Sequence, residues 1–178
     1  MRVNHLIGAL AGALISLCPL LVPAGEPSVR HMDLGDGVAV TLVMEPFDPD
    51  GRAIVRCTNQ VPCAIGGVPV FGTDGVLPTR EVTALRVVYG TYSADLDHTG
   101  MFNAWSPFDD ERPNIAVIHR DADGLRLRGE FSDGSAAYLA EWMVRGDASI
   151  RTRIDCLECI DPAAFPERPS AFQPQPTD

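Results

Sequence analysis

The chain has 178 residues, of which 46% are hydrophobic, and its formal net charge is −10 at pH 7. This length and apolar content predict one globular domain with a hydrophobic core. The acidic balance argues against nucleic acid and anionic membrane surfaces, whose phosphates bind clustered cations, and it suits a basic protein partner.

The N-terminus predicts export. Arg2 precedes an almost uninterrupted apolar run, Leu6–Val22, and small residues stand just before Gly25. Residues 1–24 therefore have the three regions of a secretory signal peptide. The apolar run is short for a membrane span and contains Pro19. We expect a mature protein in the periplasm or the medium, with no membrane anchor after cleavage.

The first half of the mature chain predicts strands between turns. A polar segment, residues 26–37, comes first. Strands are then predicted over Val38–Glu45 and Arg52–Cys57, joined as a hairpin by the turn residues between them. Glycines and a proline within Cys63–Thr73 predict an edge strand or an ordered loop. A further strand is predicted over Glu81–Tyr89, with Thr83, Leu85, Val87 and Tyr89 on one face.

The second half predicts four strands: Asn114–His119, Leu125–Phe131, Ala136–Val144 and Ala148–Ile154. Their short connections contain glycine and aspartate, as in an antiparallel meander. One strand has Tyr138, Ala140, Trp142 and Val144 on one face and Leu139 and Met143 on the other, which predicts a central position. Residues 161–178 read as a proline-rich flexible tail. The expected fold is a single antiparallel β domain over residues 25–160, a sandwich or strongly curved sheet with little helix.

Four cysteines follow the predicted cleavage site: Cys57, Cys63, Cys156 and Cys159. An even number in an exported protein predicts two disulfides, with three pairings open. The turn residues between Cys57 and Cys63 favour that pair, which leaves Cys156 with Cys159 by elimination. We do not expect redox activity from the CxxC pair, because it precedes a proline-rich tail rather than a helix. The spacing is also unlike that of a zinc site.

An irregular segment, Asp95–Trp105, carries the candidate binding residues. Met101, Phe102 and Trp105 could form an exposed anchor for a protein partner, and acidic residues would form its rim: Asp95, Asp97, Asp109, Asp110 and Glu111. The alternative is that the apolar residues plug one end of the sheet. The same carboxylates could hold calcium, although no EF-hand spacing is present. We expect no bound cofactor or metal.

Catalytic motifs are absent from the sequence. It contains neither GxSxG nor HExxH. Of the histidines after the cleavage site, His31, His98 and His119, the last two stand in a loop and at a predicted strand end, where an ordinary structural role explains them. The sequence therefore predicts a protein that is not an enzyme. A small hydrolase centred on His98 or His119 is the weaker alternative.

Two stretches together resemble a group of small exported proteins of Gram-negative bacteria: Leu96–Trp105, and Leu127–Gly134 running into Ala140–Trp142. The resemblance covers residues 82–154 and implies a shared fold rather than an activity. Immunity proteins, which neutralise toxins, are of the same general type. The expected function is an exported, non-enzymatic binding protein, an immunity-type inhibitor that occludes a cationic partner in the periplasm. The alternative is a calcium- or small-ligand-binding envelope protein.

Overall fold

The structure is a computed structural model that describes residues 25–105 and 115–160. The predicted signal peptide and the predicted tail lie outside the described residues. Within the described part, regular structure is antiparallel β apart from three short 3-10 turns, at Thr58–Gln60, Gly134–Ala136 and Leu157–Cys159, which confirms the mainly-β prediction. No helix in these two ranges is long and apolar enough to cross a membrane.

The first sheet contains four strands in the order β1-β2-β6-β7. Their bounds are Ser28–Asp33 for β1, Val38–Pro46 for β2, Arg80–Tyr89 for β6 and Tyr92–Asp95 for β7. Apolar and exposed positions alternate along β2, so that Val40 and Leu42 face inward while Ala39 faces solvent. This alternation gives the sheet one buried and one wet face.

The second sheet has the order β11-β10-β9-β8, an antiparallel meander as predicted. Its strands are β8 Ile115–Asp121, β9 Gly124–Phe131, β10 Tyr138–Arg145 and β11 Ala148–Cys156. Strand β10 is paired on both sides, and its predicted inner face is buried throughout. The prediction of a central strand is therefore confirmed.

The two sheets face each other across one core, which takes large buried side chains from both, among them Leu42, Leu85, Phe131, Tyr138 and Trp142. The fold is thus a sandwich, and its two ends differ. Short turns joining β1 to β2, β6 to β7, β8 to β9 and β10 to β11 form one end, here called the hairpin end. At the hairpin end the two sheets are linked by the Tyr89 hydroxyl, which donates to the Gly146 carbonyl at 3.2 Å.

A third, small sheet lies outside the sandwich, in the order β3-β4-β5. Its strands are β3 Ile54–Arg56, β4 Pro62–Ile65 and β5 Val68–Pro69. The loops that precede and follow it are joined, because the Phe47 amide donates to the Thr79 carbonyl at 2.9 Å. The three strands and these two loops, residues 47–53 and 70–79, are called the cap below.

Two predictions about the first half are wrong. Strand β2 pairs with β1 and β6, whereas β3 pairs with β4, so Val38–Glu45 and Arg52–Cys57 do not form a hairpin. The polar residues 26–37 include a strand, β1, which takes the expected place beside β2. In β6, Val82 rather than Thr83 faces the core, because a bulge at Val43/Met44 changes the register.

Candidate functional site

The segment from Leu96 to Trp105, here called the crossing segment, spans the end of the sandwich opposite the hairpin end. At its start the Trp142 indole N–H of β10 donates to the Asp97 carbonyl at 2.9 Å. At its finish the Arg30 guanidinium of β1 lies 4.8 Å from the centre of the Trp105 ring. Between these points it contacts β6 and β2. The segment therefore runs from one edge of the sandwich to the other.

Asn103 fixes the middle of the crossing segment and was not singled out by the sequence. Its Oδ1 accepts from the Thr79 amide at 3.2 Å, the Thr79 hydroxyl at 3.0 Å and the Arg80 amide at 3.0 Å, and its Nδ2 donates to the Gly72 carbonyl at 2.8 Å. Its φ of 43° is one that asparagine adopts more readily than most residues. One side chain thus joins the crossing segment to β6 and the cap.

The structure corrects the expectation of an exposed anchor. Met101 is fully buried and Phe102 is 3% exposed, so neither side chain is accessible to a partner. The buried Tyr138 hydroxyl donates to the Phe102 carbonyl at 3.2 Å, and burial raises the pKa of Tyr138 well above its usual value, which keeps this donor protonated. Met101 and Phe102 instead match the alternative prediction, in which the apolar residues of this segment plug one end of the sheet. Trp105 is half-buried.

The predicted acidic rim is not a set of free carboxylates on one surface. Asp95 forms an ion pair with Arg86 at 2.6 Å, and Asp97 forms one with Arg151 at 3.3 Å. Both lie near the edge formed by β7 and β11, whereas Trp105 lies at β1. Asp109, Asp110 and Glu111 lie outside the described residues. Because each described carboxylate is engaged by an arginine, this arrangement gives no support to calcium binding.

The environment of Asp97 makes a pH dependence testable. Partial burial raises the pKa of Asp97, but hydrogen bonds from Thr99 and the charge of Arg151 more than offset this and leave the pKa below its usual value. The unfolded chain therefore takes up this proton at a higher pH than the folded chain. The stability contributed by the carboxylate is present above the unfolded pKa and is lost as pH falls through the folded pKa.

We expect the urea midpoint of the wild type to exceed that of Asp97→Asn at pH 6 and to approach it below about pH 4. Urea unfolding at both pH values checks this. The Asp95 and Asp121 carboxyls, whose pKa values are also lowered, are present in both proteins and cancel in the comparison. A gap of the same size at pH 3 and pH 6 would contradict the assignment.

The three histidines have local partners. The His31 ring contacts the Thr41 hydroxyl at 2.9 Å, and His98 Nδ1 donates to the Leu96 carbonyl at 3.1 Å. His119 Nε2 lies 3.1 Å from an Asp121 carboxylate oxygen, beside a shallow hollow. Among the described residues that line this hollow there is no serine, threonine or cysteine. A histidine and an acid meet there without a side-chain nucleophile.

Both favoured disulfides are present, Cys57–Cys63 and Cys156–Cys159. The second pair lies within 4.8 Å of the Asp155 carboxylate, a spacing that could suit a metal. Disulfide sulfurs are not thiolates, however, and the thiolate is the form that binds metal. In the oxidised state this cluster is therefore structural.

The cap has a feature that sequence reasoning missed. Asn59 and Gln60, consecutive residues in the loop closed by the first disulfide, have φ values of 59° and 65°. Left-handed backbone is uncommon outside glycine. Both side chains are exposed, and the Arg56 guanidinium holds the loop through the Gln60 carbonyl at 2.8 Å. The pattern T-N-Q between cysteines signals a turn but not this conformation.

Comparison of the chain with models of protein families, with curated proteins and with solved structures finds no match.

Proposed function

We propose that this protein is an exported, non-enzymatic binding protein that recognises a basic protein partner in the periplasm, in the manner of an immunity-type inhibitor. The observation that carries the proposal is the exposed, disulfide-closed loop of the cap, with two consecutive residues in left-handed backbone.

The left-handed residues close the hairpin between β3 and β4, in which the Cys57 amide donates to the Val61 carbonyl at 2.8 Å, and both side chains stay exposed. Asparagine adopts left-handed backbone readily, but at Gln60 this conformation costs about 1 kcal/mol, and strain of this kind persists only where the surroundings impose it. Here the Cys57–Cys63 disulfide and the Arg56 hydrogen bond impose it, although Asn59 and Gln60 are both exposed. Strained backbone concentrates at binding sites, where a loop held in advance loses less entropy on association. The loop is therefore held in one conformation before any partner binds, which suits a contact loop.

The rest of the cap has the composition of a protein interface. Val55 is 51% exposed and Val76 is 63% exposed, a large fraction for apolar side chains. The two cap loops also carry exposed acidic residues: Asp48, Asp50 and Asp74. Apolar contacts with a charged rim are typical of interfaces, and the negative rim would accelerate the approach of a basic partner.

The buried residues of the crossing segment support the cap from beneath. The Phe102 ring packs edge-on against Phe47 with 5.6 Å between centroids, and the Phe71 amide donates to the Gly100 carbonyl at 3.0 Å. Met101 and Phe102, predicted as the contact itself, therefore contribute by fixing the surface above them. Export is supported by the two disulfides, which suit an oxidising compartment, and by the signal-like N-terminus.

Partner capture with matched valine variants tests the proposal. Tagged protein is recovered from the periplasm at low and high salt, and bound proteins are identified by mass spectrometry. We expect a stoichiometric basic partner that is retained poorly at high salt. The cap variant, Val55→Ser with Val76→Ser, should lose this partner, because it removes the apolar contacts while leaving the rim.

The matched control is Val29→Ser with Val88→Ser, two valines 55% and 45% exposed on the outer face of the first sheet. It alters the same residue type at similar exposure away from the cap, and it should retain the partner. Recovery of no stoichiometric partner, or equal loss in both pairs of variants, would refute the proposal. Inhibition is tested by adding wild-type protein to the purified partner and measuring whether the partner's own activity falls.

A further inference from the structure

A row of side chains crosses the outer face of the second sheet near the hairpin end. The register pairs His119 with Arg126, Arg126 with Met143 and Met143 with Ile150. Neighbouring residues on the opposite face, including Leu127 and Trp142, are in the core, so this row faces away from it. Arg126 makes one side of the row cationic. Met143 and Ile150 make the other side apolar, and Ile150 is 62% exposed.

The cationic part of the row lines the shallow hollow, whose volume is about 60 Å³. Arg145, at the end of β10, lines it as well, together with His119, Asp121, Arg126 and Met143. On the same measure of volume, about 10–15 Å³ is enough for one water molecule, so the hollow has room for a small anionic head group.

Charge in this hollow is positive, against the sign of the chain as a whole. Glu141 is held by Arg128 at 2.6 Å, and Arg126 is a second, more distant guanidinium on the same carboxylate, at 3.6 Å. Two arginines thus share the Glu141 carboxylate, and the lining of the hollow holds two arginines, Arg126 and Arg145, against one carboxylate, Asp121. In a chain with a net charge of −10, such a local excess of positive charge requires an explanation.

The only acid lining the hollow among the described residues is already occupied. One oxygen of Asp121 accepts from the amides of Asp123 and Gly124 at 2.8 and 3.0 Å, and the other contacts His119 at 3.1 Å. These contacts fix the turn between β8 and β9. Asp121 is therefore not placed to neutralise the arginines across the hollow.

We propose that this hollow binds the oxyanion head group of a small molecule, a carboxylate or a phosphate, with an apolar substituent lying over Met143 and Ile150. Arg126 and Arg145 provide the charge and the N–H donors, which bind carboxylate and phosphate oxygens well. The site is on the second sheet, away from the cap, and does not depend on the proposed protein partner.

The test is a titration followed by amide NMR shifts, with inorganic phosphate, acetate and hexanoate as separate probes at low salt. We expect saturable shifts at Gly124, Arg126, Met143 and Arg145. Hexanoate should bind more tightly than acetate if the apolar side of the row contributes. If only phosphate binds, or only the two carboxylates bind, the result supports the site and identifies which oxyanion it prefers.

The lead variant is Arg145→Gln, which lies outside the Glu141 ion pairs and should fold normally. It should weaken binding about tenfold, as expected for one charge-assisted hydrogen bond. The control is Arg86→Gln, which removes the same charge from the first sheet and should leave the affinity unchanged. Equal weakening in both variants, or no saturable shifts at the hollow with any probe, would overturn the proposal.

Discussion

Replacement of Gly72 by alanine is expected to lower the free energy of unfolding by about 3–5 kcal/mol. Gly72 has a φ of +89°, and a Cβ atom there would overlap the carbonyl oxygen of Phe102 and lie 2.9 Å from the Tyr138 ring. The Phe102 carbonyl also accepts a hydrogen bond from the buried Tyr138 hydroxyl, so it cannot move away from the new Cβ without disturbing the core. Urea unfolding followed by tryptophan fluorescence measures the loss.

A matched glycine separates the collision from the backbone conformation. Gly67 has a φ of +81°, close to that of Gly72, but no atom lies within 4 Å of its hypothetical Cβ. Gly67→Ala should therefore cost only the conformational penalty, about 1 kcal/mol. If the two alanine variants lost similar stability, the close approach of the cap to the crossing segment would not be a significant constraint.

The second sheet could be predicted because its signals are local. In β9, buried Leu125, Leu127 and Phe131 alternate with more exposed residues, and short connections with glycine and aspartate join the strand to its neighbours in sequence. Alternation and turn chemistry therefore determine both the strands and their order. No long-range information was needed to obtain an antiparallel meander.

The first sheet depends on contacts that are distant in sequence. Strand β1 is largely polar because it is an edge strand with one exposed face, and only Met32 among its residues is buried. Its pairing with β2 excludes the hairpin that the turn at residues 48–51 suggested. The bulge leaves Thr83 as an extra residue of β6 opposite Val43 and Met44 of β2, and strict alternation along β6 does not allow for such a residue.

The roles of residues in the candidate site also depend on contacts that are distant in sequence. The sequence marks the aromatic and acidic residues of segment 95–105 as unusual, but the roles of these residues depend on what they contact. Met101 fills the core, and Asp97 is paired with Arg151, which lies 54 residues later in the chain. Asn103 joins three distant positions through one amide. Composition marks such a segment, but only the fold decides whether it is a surface or a plug.

Truncation of Trp142 is expected to have an effect as large as that at Gly72. The side chain is fully buried on the central strand, and its ring meets Phe131 edge-on at 6.1 Å. Trp142→Ala should cost about 3–5 kcal/mol through the lost burial and the cavity left behind. Urea unfolding followed by far-UV circular dichroism is the suitable measurement, since the substitution removes one of only two tryptophans.

Trp142→Phe distinguishes packing from the hydrogen bond to the crossing segment. It retains an aromatic ring in the core but removes the N–H that the Asp97 carbonyl accepts. We expect a smaller global loss, about 1–2 kcal/mol, together with faster hydrogen exchange at the Met101 amide, whose bond to the His98 carbonyl depends on the same turn. If exchange at Met101 followed global unfolding alone, Trp142 would stabilise the sandwich without anchoring the segment. Local acceleration would instead show that the central strand holds the plug, and through it the cap, in place.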